Sequence, residues 1–247
     1  MFELAAIPLL LALAQPASGP ITQLPEVVAY RAELDRVRQR APGASVAAAY
    51  QAADALSERL MKTFEKDGET VVLLEVLSAE DYAVVEGMLE GMGMAISREE
   101  IIFAQTDAKY FRDLAEKYGG PADIEFFKIE AEIRPDSGWP IYTVQQTDSS
   151  GCTDFASGEQ VKRYAQWRAF RAKYPGAYSI EVADWLANIE ASITNGTCAC
   201  GDAAGVENEL RRFVDTFPDS PVLEAVRERL RKLRDPETGM RFNCISG

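Results

Sequence analysis

The chain of 247 residues contains no histidine. That absence removes the general base from Ser-His-Asp and Cys-His nucleophilic arrangements and the usual ligand from zinc hydrolase motifs. Long apolar runs are missing as well. The longest, Leu4 to Ala14 with Pro8 inside it, is too short to span a bilayer, so no membrane insertion is expected. Basic side chains are scarce: the formal charge is −13, and between Asp67 and Asp107 only Arg98 is basic. From Asp54 to Asp136 there are 20 acidic and 9 basic side chains. A surface of that sign repels phosphate backbones and anionic lipid, which argues against nucleic acid and membrane partners. Cysteine is absent from the first 151 residues.

The four cysteines that are present, Cys152, Cys198, Cys200 and Cys244, all fall in the C-terminal part. An even count fits disulfides in an oxidising compartment. The N-terminus points the same way. Residues 1–18 run from Met1-Phe2-Glu3 through the apolar stretch to Ala12-Leu13-Ala14 and a polar Gln15 to Ser18 segment, which resembles a secretory signal peptide, although no Lys or Arg precedes the apolar core. The expected location is periplasmic or secreted, and the mature chain of about 230 residues is long enough for a sizeable core.

Helical spacing dominates the chain beyond this leader. Val27, Tyr30, Leu34 and Val37 form one stripe, and from Ala44 to Phe64 the positions Val46, Ala49, Tyr50, Ala53, Leu56, Leu60, Met61 and Phe64 form a second, closed by Asp67-Gly68. Val71 to Leu77 fits a buried strand or a helix start and is assigned here to helix. Ser78 with Asp81 marks a helix N-terminus. Ser97 with Glu100 has the form of a capping box opening a short helix through Ile101, Ile102 and Phe103. Gly87, Gly91 and Gly93 lack the flanking strand and Lys-Ser/Thr of a phosphate loop, so no cofactor is expected there.

From Asp107 onward a pattern recurs. Leu114, Lys117, Tyr118, Gly120, Ile124 and Glu125 return 56 residues later as Phe170, Lys173, Tyr174, Gly176, Ile180 and Glu181. Phe170, Tyr174, Pro175 and Glu181 return after a further 43 as Phe213, Phe217, Pro218 and Glu224. In each unit a helix ends in an aromatic anchor, Gly or Pro breaks it, and a second helix returns across the first. The segment Phe213 to Pro221, followed by Val222 to Leu233, resembles the inter-repeat junction of tetratricopeptide-like repeats in bacterial envelope proteins. Its spacing departs from the usual repeat of about 34 residues. The resemblance implies stacked antiparallel hairpins and a protein or peptide partner. The expected fold is therefore all-α, with an N-terminal helical part over 19–135, a connector loop over 136–151, and a disulfide-stapled part over 152–247.

The connector breaks the helical pattern and carries Trp139, Tyr142, Gln145, Gln146 and Asp148, the candidate binding residues, because long loops inside compact folds are often functional. If each later hairpin starts and ends at one edge, Cys152 pairs with Cys198 and Cys200 with Cys244. Cys152 with Cys200 plus Cys198 with Cys244 is a second pairing, and Cys152 with Cys244 plus Cys198 with Cys200 is disfavoured by the single intervening residue. A metal site or a redox Cys-Ala-Cys finds no supporting spacing or basic neighbour. The leading functional expectation is a non-catalytic exported protein that binds a protein or peptide. One alternative is an inhibitor or immunity protein whose acidic face covers a basic secreted enzyme. Another is a carboxylate-dependent cell-wall hydrolase.

Overall fold

A computed structural model of the chain describes residues 21–98, 101–135, 139–147, 150–196, 198–233 and 241–243. The expected signal peptide, Asp148 and Cys244 lie outside these residues. Two antiparallel helices open the fold, α1 (Pro25–Arg38) and α2 (Val46–Leu60). Proline occupies the first turn of α1, where its missing N–H has no partner to lose, and Ser45 caps α2 by accepting from the Ala48 amide at 3.1 Å. The first stripe is buried, and so is the second as far as Leu60: Tyr30, Leu34, Ala49, Ala53, Leu56 and Leu60 are essentially inaccessible. Helix α2 ends before Met61, and Phe64, expected on the same helix, is half-buried in the strand that follows.

The fold is not all-α. Strands β1 (Thr63–Lys66) and β2 (Glu69–Val72) form a hairpin, and β3 (Met94–Arg98) and β4 (Ile102–Thr106) form another, with helix α3 (Ala79–Glu90) between them. Asp67 and Gly68 have φ of +54° and +86°, the two positive values of a type I′ hairpin turn. The same dipeptide reads equally well as the stop of a helix, and that ambiguity misassigned Val71 and Val72. Ser97 is not a helix cap either. It pairs with Phe103 across the β3–β4 ladder, because the Ile101 to Phe103 run is held as extended chain against α2.

Three helix pairs follow, at the places where the pattern recurs: α4 (Ala108–Tyr118) with α5 (Pro121–Ile133), α6 (Glu159–Lys173) with α7 (Ser179–Asn195), and α8 (Ala203–Thr216) with α9 (Leu223–Lys232). Asp107 caps α4 through the Lys109 and Tyr110 amides at 2.8 and 3.1 Å, and Asp202 caps α8 through Gly205 at 2.9 Å. The connector is not a structureless loop. It supplies β5 (Thr143–Thr147) and β6 (Ser150–Thr153) of a third sheet, completed by the short β7 (Cys198–Ala199) and β8 (Arg241–Phe242) in the order β5-β6-β7-β8.

β5 and β6 run antiparallel, whereas β6 with β7 and β7 with β8 run parallel. Parallel neighbours need long crossovers, and the last two helix pairs are those crossovers. Each pair therefore leaves and returns to one sheet edge. The disulfide that results joins Cys152 to Cys200, with Cα atoms 5.1 Å apart, rather than Cys152 to Cys198. The physical reason is strand alternation: Thr153 sits opposite Ala199, so Cys198 and Cys200 flank that position on the same face as Cys152, and hairpin closure alone does not choose between them. Cys198 is disulfide-bonded as well.

One continuous set of buried side chains runs from Ile21 to Leu233. Its centre is aromatic. Phe126 of α5 stacks on Tyr178 with ring centroids 3.9 Å apart, and Tyr50, Phe111, Phe127, Trp167 and Phe170 surround them. Each fully buried ring of this size contributes about 2–3 kcal/mol of transfer free energy, so this cluster ties the first helix pair to the later ones.

Candidate functional site

The last turn of α5 delivers two charged side chains to the interior. Glu130 is 2% exposed, and Arg134, one turn later, donates from Nη2 to its Oε2 at 2.6 Å. Trp185 of α7 donates from Nε1 to the other carboxylate oxygen, and its ring lies under the Arg134 guanidinium at 5.6 Å. Tyr50 of α2 completes the group, its hydroxyl beside Arg134 and the Thr106 side chain. Burial pushes the Tyr50 hydroxyl upward and Glu130 adds to that, so it stays protonated. Burial opposes the charge on Arg134, but Glu130 more than offsets it and the guanidinium remains a cation. A pair of this kind contributes little net stability when intact, while loss of one partner typically costs about 3–5 kcal/mol.

The connector meets this cluster. Tyr142 is buried, and burial together with the Glu130 charge pushes its hydroxyl up to about 12, against an opposing effect of Arg134. The Ile141 amide donates to the Ile133 carbonyl at 2.7 Å, which fixes the chain as it leaves α5. A cleft of about 220 Å³ opens at Arg134, lined by Ala95, Gln105, Thr106, Asp107, Lys109 and Pro135. Asp54 and Glu58 of α2 and Asp184 of α7 lie outside it. Burial raises Asp54, with smaller contributions from Glu58 and Asp184 that Arg134 partly opposes.

The candidate binding residues divide. Tyr142 joins the ionic cluster, Trp139 is half-buried, and Asp148 lies outside the described residues. Gln146 is half-buried, with its Oε1 enclosed and lacking a hydrogen-bond partner among the described residues. Gln145 is exposed on β5, beside exposed Val144. That strand is the outer one of its sheet. The Asp154 amide donates to the Tyr142 carbonyl at 2.8 Å, so residues 142 and 144 turn their backbone groups toward β6 while 143 and 145 turn theirs away. The Thr143 amide is taken by the Pro140 carbonyl at 2.7 Å. The Thr143 carbonyl and both backbone groups of Gln145 therefore face the open side of the sheet. A β-bulge between Gln145 and Thr147 ends the regular ladder.

A second concavity, of about 530 Å³, runs between α5 and α6 over Ile124, Ile129 and Ala169, with Glu125, Lys128 and Glu132 at its rim. Glu125 accepts from Lys173 at 2.5 Å, which lowers it. Burial raises Glu132, but donation from Gln166 and Arg163 outweighs it and leaves the group lowered. A glycosidase acid needs the opposite shift, so these two carboxylates do not furnish one. No group of three or more Cys, Asp or Glu placed to hold a metal occurs among the described residues.

Sequence reasoning missed Glu130, Arg134 and Trp185. Their only local signal is the i,i+4 spacing of Glu130 and Arg134, which also describes countless solvated helix pairs. Comparison of the chain with protein-family models, with curated proteins and with solved structures finds no match.

Proposed function

We propose that the chain is a non-catalytic, exported protein that binds an extended segment of a protein or peptide by adding it to the outer edge of β5. The supporting observation is that Gln145, on the outer strand, turns its backbone donor and acceptor away from β6 beside exposed Val144. Strand addition draws affinity from the main chain and selectivity from alternate side chains, so it needs no catalytic constellation. The disulfide supports an oxidising compartment, periplasmic or extracellular. The test is peptide selection against the full chain from a displayed random library, followed by affinity measurements on two variants. Gln145→Ala keeps both backbone groups and should bind as the parent does. Gln145→Pro removes the outward N–H without touching the β6 ladder. It should weaken binding about tenfold, the equivalent of one or two net hydrogen bonds. Equal affinity for Gln145→Pro would move the binding face elsewhere.

A second reading is favoured by the exposed acids of the β1–β2 hairpin, the segment that follows it and α3. Glu65, Asp67, Glu69, Glu75, Glu80, Asp81, Glu86 and Glu90 are exposed, and none of them has a cation partner among the described residues. Arg98 does not compensate them. Its Nη1 donates to the Leu77 carbonyl at 2.7 Å and its guanidinium lies 4.3 Å from the Tyr82 ring. Such a face suits a basic secreted enzyme as its inhibited partner. Association rates with a basic probe protein such as a cationic lysozyme should fall steeply with added salt, and a salt-independent rate rules this reading out.

A further inference from the structure

The outer hairpin of the third sheet, β5 with β6, has little of its own to hold it in place. Among the described residues, Tyr142 and Phe155 at its base belong to the continuous core, and no side chain between them does. The one buried apolar residue of that stretch is Cys152. Among the described residues, β6 meets β7 at a single ladder position, Thr153 with Ala199, where the Cys200 amide donates to the Thr153 carbonyl at 2.9 Å. A two-stranded hairpin alone is at best marginally stable in water, and further strands or a packed apolar face are needed to fix it. The bond from Cys152 to Cys200 supplies that fixing here. It also acts close to the binding edge: Cys152 stands directly opposite Val144, one residue from Gln145.

The strand so held is a poorly protected edge. From Trp139 to Thr147 no side chain is charged, in a chain with 39 acidic and 26 basic residues. Natural edge strands are blunted by charge, proline or bulges, because an open edge pairs with whatever extended chain it meets. Of these devices β5 has the bulge beyond Gln145. The crosslink supplies another protection. A disulfide does not persist in a reducing compartment, so until the bond closes the hairpin lacks its tie. The bond is also within reach of a reductant. Cys200 is half-buried, and at the next residue, Gly201, a Cβ would meet nothing within 4 Å, so the chain beside the sulfur is open to an approaching thiol.

We infer that the β5 edge is redox-gated: it is presented while Cys152 is bonded to Cys200 and withdrawn when that bond opens. The inference rests on β5 being the binding edge. Opening by a dithiol is balanced. One of its thiolates attacks the Cys200 sulfur and displaces the Cys152 thiolate, which takes up a proton. Its second thiolate closes on the first sulfur and releases Cys200 as a thiol, so the protein gains two electrons and two protons and the dithiol leaves as a cyclic disulfide. An exported chain therefore displays the edge after it reaches an oxidising compartment and not before. The experiment follows backbone amide exchange in the full chain, oxidised, reduced with dithiothreitol and reoxidised. The double variant Cys152→Ala with Cys200→Ala opens this bond alone. With the bond open, exchange at Val144, Cys152 and Asp154 should rise about tenfold or more while the α1 and α2 amides keep their protection. Affinity for a peptide selected on the oxidised chain should fall about as much, since binding weakens with the fraction of chains that hold the edge. Reoxidation should restore both. Unchanged exchange at these amides, an equal rise throughout the chain, or unchanged peptide affinity with the bond open each overturns the gate. If the oxidised chain selects no peptide, it is the assignment of β5 as binding edge that fails, while amide exchange by itself still decides whether the bond holds the hairpin.

Discussion

Glu209 of α8 is 1% exposed, yet its carboxylate accepts from the Val161 amide at 3.1 Å and so caps α6 from another helix. The cap comes from outside because the residue before α6 is Gly158, which has no side chain to offer. Glycine suits the position because its φ is +76°; a Cβ would also displace the Arg212 guanidinium, which lies 3.6 Å from Glu209. Burial raises the Glu209 carboxyl despite the amide and Arg212. A raised folded value means that folding favours the protonated form. The penalty is absent below the ordinary glutamate value of about 4.3, grows as pH rises toward the folded value, and is complete above it. Glu209→Gln keeps an acceptor for Val161 and removes the charge. It should therefore raise stability at neutral pH, with the gain vanishing near pH 4. Glu209→Ala loses the cap and should destabilise by about 1–2 kcal/mol at either pH. Urea denaturation of both variants at the two pH values checks the sign.

At the scale of elements, the helices were legible and the sheets were not. Ser78 announces a helix start in the sequence, and the apolar stripes give the buried faces, while the caps at Ser45 and Asp107 were not singled out. Strands β7 and β8 have two residues each, and what makes them strands is a partner some forty or more residues away in the chain. No local pattern carries that information. The connector shows the same limit. Its residues mark the place where the helical pattern breaks, but Thr143 and Val144 reveal a strand only once Cys152 and Thr153 stand opposite them. The crosslink belongs to this scale too. A non-reducing peptide map should recover Cys152 joined to Cys200, and the double variant Cys152→Ala with Cys200→Ala should lose about 4 kcal/mol, as expected for a closed loop spanning 48 positions. Cleavage between Cys198 and Cys200 is needed to tell the two apart, and recovery of Cys152 joined to Cys198 instead would contradict the observed crosslink while leaving the sheet register intact.

Taken whole, the molecule places a common core beneath a largely acidic surface. The acidic total charge was readable at once, and so was the location of most carboxylates. The buried Glu130–Arg134 pair was not: Trp185 reaches it from another helix, 55 positions beyond Glu130 in the chain. Tyr142 alone among the members of that cluster stood out beforehand, as an aromatic residue in a segment without helical period.

The bond between Cys152 and Cys200 passes over a cysteine that is nearer in the chain. Cys198 and Cys200 flank one sheet position, so a chain that first joins Cys152 to Cys198 reaches the native crosslink by thiolate attack and exchange rather than by simple oxidation. A refolding buffer that can reshuffle disulfides should therefore rescue any such species, where one that can only form them leaves it trapped.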